Sequence, residues 1–275
     1  MNDMINQIAV RTAKANPPAP DDFVGEDGLL RCGKCGGKKQ TIVPLEGNSV
    51  KVACACLCQK AQAKRESEAD ERSQRFKGAL ESPVYSLRCR AKSSFADHDG
   101  SNPNALKAAR RYAEKWPTMR ASGYGLNLCG GVGTGKSFLA GCIVNALLEQ
   151  EIPALMIDTS TLLNYITRRD IDENEVLKSL QRFDLLVLDD FGAERQTEFI
   201  QEALKHVVDA RAESGLPMII TTNIAPAKLH EPTPDVERVY DRVSDLPAIQ
   251  LTGTSKRKER AEKRLAELQA ILFAN

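Results

Sequence analysis

The sequence predicts an α/β fold: a mostly parallel sheet covered by helices, preceded by a small cysteine-rich module. Three observations carry this. From about residue 92, short apolar runs alternate with helical segments. A glycine-rich loop, Gly130-Gly131-Val132-Gly133-Thr134-Gly135-Lys136-Ser137, separates the first run from a helical pattern. Five of the eight cysteines fall between Cys32 and Cys58. Alternating strands and helices bury best as a sheet with helices on both faces.

The 275 residues suffice for one large domain and an appendage. Charged residues make up 27% and hydrophobic residues 42%, the balance of a soluble globular chain. The formal net charge is +1, so any surface for nucleic acid or membrane must be local. No apolar run approaches the roughly 18 residues that span a bilayer. Residues 1–20 lack the basic and apolar regions of a signal peptide. The expectation is a cytoplasmic protein with no membrane partner. Disulfides rarely persist there, so clustered cysteines favour metal over cystine.

Residues 1–30 are polar and broken by Asn16-Pro17-Pro18-Ala19-Pro20; a short helix or partial disorder is expected. Residues 31–60 carry the cysteines, with Gln40–Val43 and Val50–Val52 as a candidate hairpin. Residues 61–82 have mixed charge and almost no apolar face, which suits a solvated linker helix ended by Ser82-Pro83. Helical periodicity at Leu106, Ala109, Tyr112, Ala113 and Trp116 is expected to stop at Pro117. Five strands follow at Leu126–Cys129, Ala154–Ile157, Leu185–Leu188, Met218–Ile220 and Ala248–Leu251, with helices between them. Residues 83–257 make the main domain. Residues 258–275 read as a basic, then amphipathic, C-terminal helix.

The loop at Gly130 fits G-x-x-x-x-G-K-[ST], with an apolar run before it and a helical pattern after. Its glycines let backbone N–H groups converge on phosphates, and the helix N-terminus adds partial positive charge. Lys136 would reach the β- and γ-phosphates of ATP, and Ser137 would bind Mg²⁺. Asp189 and Asp190 close the run Leu185–Leu188, where buried carboxylates need a cation or donors. Asp189 would hold Mg²⁺ through water and Asp190 would polarise the attacking water. Pro217–Thr222 also ends in polar residues, which puts Asn223 at a strand's carboxyl end, near a γ-phosphate or simply in a turn. Arg238 and Arg242 share a helical face. Their spacing fits a solvated face as well as a finger on a neighbour's ATP.

GGVGTGKS, LLVLDDFGAE, IITTN and ERVYDR, in this order, resemble the AAA+ ATPases of the DnaC/DnaI-type replicative helicase loaders, over about residues 92–257. The IstB-type transposition helpers share that core. The resemblance implies a P-loop NTPase sheet of order 5-1-4-3-2 with a reduced or absent lid. It implies that Gly130, Gly131, Val132, Gly133, Thr134, Gly135, Lys136, Ser137 and Phe138 cradle ATP. Asp189 and Asp190 become the Walker B carboxylates, Asn223 sensor 1, Arg242 or else Arg238 the arginine finger, and Arg257 the sensor-2 arginine. Ser93-Ser94-Phe95 would lead into the adenine pocket, and Arg168-Arg169 would face single-stranded DNA or simply solvent. Asp190 replaces the usual catalytic Glu with a side chain one methylene shorter, which implies slow, switch-like hydrolysis.

Cys32-x₂-Cys35 followed by Cys54-x-Cys56-x-Cys58 has zinc-ribbon character. About thirty residues cannot build an adequate core, so Zn²⁺ would supply folding energy. Cys32 and Cys35 are one pair; Cys56 and Cys58 are preferred as the other, with Cys54 as spare. Free buried thiols or a redox pair are the alternatives. Cys89, Cys129 and Cys142 read as core residues, and His98, His206 and His230 as ordinary ones. A zinc module ahead of such an ATPase resembles the DnaI-like loaders. The implied partners are a hexameric replicative helicase, single-stranded DNA and further copies of the chain in a ring or helical oligomer. A transposition helper on duplex DNA and an adaptor with a purely structural ATP site are the competing expectations.

Overall fold

The apolar runs at Leu126–Gly130, Ala154–Asp158, Leu185–Phe191 and Met218–Thr222 become strands that bury both faces, whereas Ala248–Leu251 is a partly exposed edge. In β7 (Leu185–Phe191), Leu185 and Val187 pack into one core and Leu186 and Leu188 into the other. All four are fully buried, worth about 2 kcal/mol each by area. Burial on both faces explains why the strand reads as a continuous apolar run.

A computed structural model of the chain describes residues 2–45, 48–89, 93–193, 197–225 and 237–273. The chain divides into two compact units, Met1–Arg72 and Ser73–Asn275.

The first unit opens with α1 (Asn2–Ala15). Strands β1 (Phe23–Val24) and β2 (Leu30–Arg31) pair antiparallel, as do β3 (Gln40–Leu45) and β4 (Asn48–Ala53). The expected hairpin is therefore present. An Arg31↔Lys38 bridge joins β2 to the approach of β3. The expected linker helix begins earlier than residue 61: α2 spans Leu57–Leu80, and its first turn carries Cys58. Among the described residues of this unit only Leu29, Cys32, Lys39 and Cys56 are buried. So small an interior cannot offset chain entropy by apolar burial alone.

The second unit contains a five-stranded parallel sheet of β5 (Leu126–Gly130), β6 (Ala154–Asp158), β7, β8 (Met218–Thr222) and β9 (Ala248–Leu251), in the order β6-β7-β8-β5-β9. This is the expected 5-1-4-3-2 order. Helices α3 (Pro103–Glu114), α4 (Trp116–Ser122) and α5 (Lys136–Leu148) cover one face. Helices α6 (Thr159–Ile166), α7 (Glu173–Leu180), α8 (Glu198–Glu213) and α9 (Glu237–Ser244) cover the other. One helix, α10 (Lys256–Phe273), follows β9.

Pro117 does not end the helical region as expected. It sits in the first turn of α4, where the missing N–H costs nothing. On α8, the buried Arg211 donates to the carbonyls of Phe183, Asp184 and Pro217 and so fixes the amino ends of β7 and β8. Their carboxyl ends, where the polar residues collect, lie at the opposite edge.

Candidate nucleotide pocket and metal centre

β5 ends at Gly130, whose φ is 148°. A Cβ there would meet the Leu251 carbonyl oxygen at 2.2 Å, so only glycine fits beside β9. The loop then turns through Gly133 and Gly135, at φ 77° and 103°, into α5. Thr134 Oγ1 donates to the Gly131 carbonyl at 2.9 Å and braces the loop. Lys136 is 4% exposed. Its ammonium donates to the Gly130 and Gly131 carbonyls at 3.0 and 2.9 Å and to Asn223 Oδ1 at 2.7 Å. A buried ammonium and the first N–H groups of α5 thus meet at one place, the requirement for binding phosphate.

The end of β7 is bulged. Its register against β8 shifts between Leu188 and Phe191, and Asp190 lies at φ 53°. The bulge sends consecutive carboxylates to different tasks. Asp189 is buried, and its Oδ1 accepts from the Thr221 hydroxyl. The same hydroxyl accepts the Asp190 N–H at 3.0 Å. Thr159 Oγ1 donates to the Asp189 carbonyl at 2.8 Å. Asp190 lines a cavity of about 290 Å³ together with Lys136, Ser137, Phe138 and Asn223.

A segment ahead of α3 forms another wall. Ser93 is held through its carbonyl by Asn145 Nδ2 at 2.7 Å, and Ser94 caps the 3-10 turn Phe95–Asp97. This brings Asp97, His98, Asp99 and Ser101 onto the cavity. The His98 ring lies 6.0 Å from that of Phe138. Asn102 clasps Thr252 with two 2.9 Å hydrogen bonds, one to its carbonyl and one from its N–H. Lys256, at the start of α10, completes the wall: its N–H donates to the Gly133 carbonyl at 3.0 Å and its ammonium lies 3.2 Å from Asp99. The Ser101 hydroxyl and N–H, with help from Lys256, hold the Asp99 carboxyl well below the usual range.

In the first unit the sulfurs of Cys32, Cys35, Cys56 and Cys58 all lie within 4.8 Å of one another. Cys58 Sγ is 3.6 Å from Cys32 Sγ and 3.2 Å from Cys56 Sγ. A tetrahedral zinc with bonds of about 2.3 Å has sulfur–sulfur edges of about 3.8 Å, so the donor set fits Zn²⁺. Backbone N–H groups of Cys58 and Gly37 draw the Cys35 thiol down to about 6. Contacts with Cys56, Cys32 and Cys35 push the Cys58 thiol up to about 12. The Cys58 thiol is thus one whose proton a bound dication would displace. Cys54 faces away, toward the Lys38 carbonyl at 3.7 Å. Lys39 is buried against Asp22, which holds its ammonium in the charged form against the opposing effect of burial.

The model of one family, the bacterial DnaA ATPase domain, matches residues 94–243, more than half of the chain. The chain belongs to that family. Its DnaA-type domain is an AAA+ ATPase domain. The chain is similar to the replicative helicase loader DnaC of Escherichia coli (strain K12), 32% identical over 145 residues, or 51% of this chain and 57% of DnaC. It is also similar to a putative ATP-binding protein in an insertion sequence of Mycobacterium tuberculosis (strain ATCC 25618 / H37Rv), 29% identical over 66% of this chain and 73% of that one. Among solved structures, the crystal structure of DnaI is similar at 25% identity and a TM-score of 0.50, over 60% of this chain and 90% of that one. The chain thus spans little more than half the length of DnaC.

Around the DnaA-type core, Arg242 does not line the chain's own cavity; on α9 it pairs with Asp209 of α8 at 2.7 Å. The side chains of Arg238 and Arg257 lie outside the described residues, as does His230. Arg168 forks onto Asp170 at 3.0 and 2.6 Å, and Arg169 is exposed. His206 Nδ1 lies 2.7 Å from Glu173. Cys129 and Cys142 are buried, and Cys89 is partly buried. Among the described residues, no helix is long and apolar enough to cross a membrane.

His98, expected as an ordinary residue, lines the cavity, as do Asp97, Asp99, Ser101 and Lys256. The polar run Asp97-His98-Asp99-Gly100-Ser101 was the available signal. Its contribution depends on contacts about 150 residues away, which no local pattern announces.

Proposed function

We propose that this chain is a cytoplasmic, ATP-dependent loader of a replicative DNA helicase. It grips a hexameric helicase through its N-terminal region, with the zinc module of residues 31–60 presenting the surface. ATP binding and slow hydrolysis in the domain of residues 83–257 control deposition of the helicase on single-stranded DNA. One observation carries the reading: the phosphate loop, Asp190 and Asn223 line one cavity at adjacent strand ends, with Asp189 buried beside Asp190, in a chain similar to a helicase loader.

In this reading the loop from Gly130 to Phe138 cradles the triphosphate. Lys136 leaves its carbonyl partners for the β- and γ-phosphates. Ser137 and Asp189 offer oxygen ligands suited to Mg²⁺, which would neutralise phosphate charge. Asp190 orients a water on the γ-phosphorus and takes its proton as the bond to ADP breaks. Its short side chain reaches less far than Glu, so turnover is slow. Arg242 exchanges Asp209 for a neighbour's γ-phosphate in a ring or helical assembly. Cys32, Cys35, Cys56 and Cys58 would hold Zn²⁺, which would tie the approach to the hairpin to the start of α2.

The larger coverage of the insertion-sequence protein favours a second reading, a transposition helper on duplex DNA. Size-exclusion chromatography of the full chain with the hexameric replicative helicase of its source decides between them. A stable complex is expected. ATP-dependent filaments on duplex DNA, with no helicase complex, would replace the first reading by the second.

A further inference from the structure

This inference rests on the reading of the cavity as a nucleotide site. Two segments distant in sequence close one side of the phosphate loop. The Asn102–Thr252 clasp ties them together, and the Lys256 N–H anchors α10 to the loop at Gly133. Lys256 is therefore placed by its backbone, and its side chain reaches into the cavity wall. Lys136 is engaged with Asn223 and the loop carbonyls. The Lys256 ammonium pairs with Asp99, at 3.2 Å. Lys256 is 33% and Asp99 46% exposed, so this is a solvated pair that a stronger anion can open.

A nucleotide polyphosphate is that anion. It carries several negative charges into a cavity that Lys256 lines. Asp99 would not be stranded by the exchange. Its Oδ1 still accepts the Ser101 N–H at 2.9 Å, and the Ser101 hydroxyl also favours the carboxylate.

We propose that Lys256 is a phosphate ligand of this pocket and that Asp99 is the counter-ion from which nucleotide takes it. The exchange occurs at the first turn of α10, so that turn registers whether nucleotide is bound. The Asn102–Thr252 clasp stays closed throughout and keeps the wall in place.

The test is fluorescence titration of the full chain with ATP and with ADP. Lys256→Met is expected to weaken both by about tenfold, the size of one charge-assisted hydrogen bond. Asp99→Asn removes the competitor and is expected to tighten both several-fold. The double variant should match Lys256→Met alone, because without the ammonium there is nothing to compete for. If the pair is only a structural strap, both single variants weaken binding alike, and that result overturns the proposal. Thermal denaturation of each variant identifies one that has failed to fold, and Lys256→Arg, which keeps the charge, should then restore affinity. Lys136→Ala separates the two readings. Wild-type protein that binds no nucleotide sinks the nucleotide-site reading itself. Loss of binding in Lys136→Ala with none in Lys256→Met sinks only this inference.

Discussion

Asp190 occupies a left-handed backbone position, φ 53°, which Asp and Asn tolerate better than longer side chains. The residue is therefore matched to the bulge as much as to the chemistry. Asp190→Asn keeps the backbone and removes only the base. We expect ATP affinity unchanged within about twofold and single-turnover hydrolysis slower by about 10²- to 10³-fold. Asp190→Glu supplies the longer carboxylate but strains the bulge. It should lose about 1 kcal/mol of stability rather than gain speed. Equal hydrolysis in Asp190→Asn and wild-type protein would remove Asp190 from the mechanism.

Elements set which of these side chains can meet. The β7 bulge and Thr221 on β8 separate Asp189 from Asp190. On α9, Arg242 is 42% exposed and pairs with Asp209 outside the cavity. Such a pair contributes about 0.5 kcal/mol or less, so Arg242→Ala should hardly alter thermal stability. It should leave ATP affinity alone yet lower ATPase activity at concentrations where the chain self-associates. Activity measured against protein concentration checks this; a uniform loss at every concentration would point to an effect within one chain. In the first unit Cys32, after β2, and Cys56, before α2, are buried together with Leu29 and Lys39. Elemental analysis should find about one zinc per chain, kept in Cys54→Ser and lost in Cys58→Ser. Zinc retained by Cys58→Ser but lost from Cys54→Ser would reverse the ligand assignment.

At the scale of the molecule, chelation should unfold the metal-dependent unit and spare the DnaA-type domain. Circular dichroism should then show the helical signal falling only in part, with the nucleotide-binding transition retained. Much of this architecture is legible in the sequence. Strands buried on both faces read as apolar runs, and Gly130, Gly133 and Gly135 mark turns other residues resist. The four clustered cysteines stand out because residues 31–60 offer few other large apolar groups for an interior. What escaped is tertiary. The bulge at Asp190 arises from pairing with β8, not from a local signal. Pro117 opens α4 rather than closing a helix, because proline suits both places. His98, Asp99 and Lys256 matter only once residues near 100 meet those near 255. β1 and β2 are two residues long, too short for any alternation to show.

These units are read together as a device in which nucleotide state governs a grip on a helicase. The direct measurement is the amount of hexameric replicative helicase retained by the full chain with ATP, with ADP and without nucleotide, in wild type and in Lys136→Ala. The account predicts retention that differs by about tenfold or more between ATP and ADP in wild type and does not differ in Lys136→Ala. Equal retention by wild-type protein in all three conditions would contradict it.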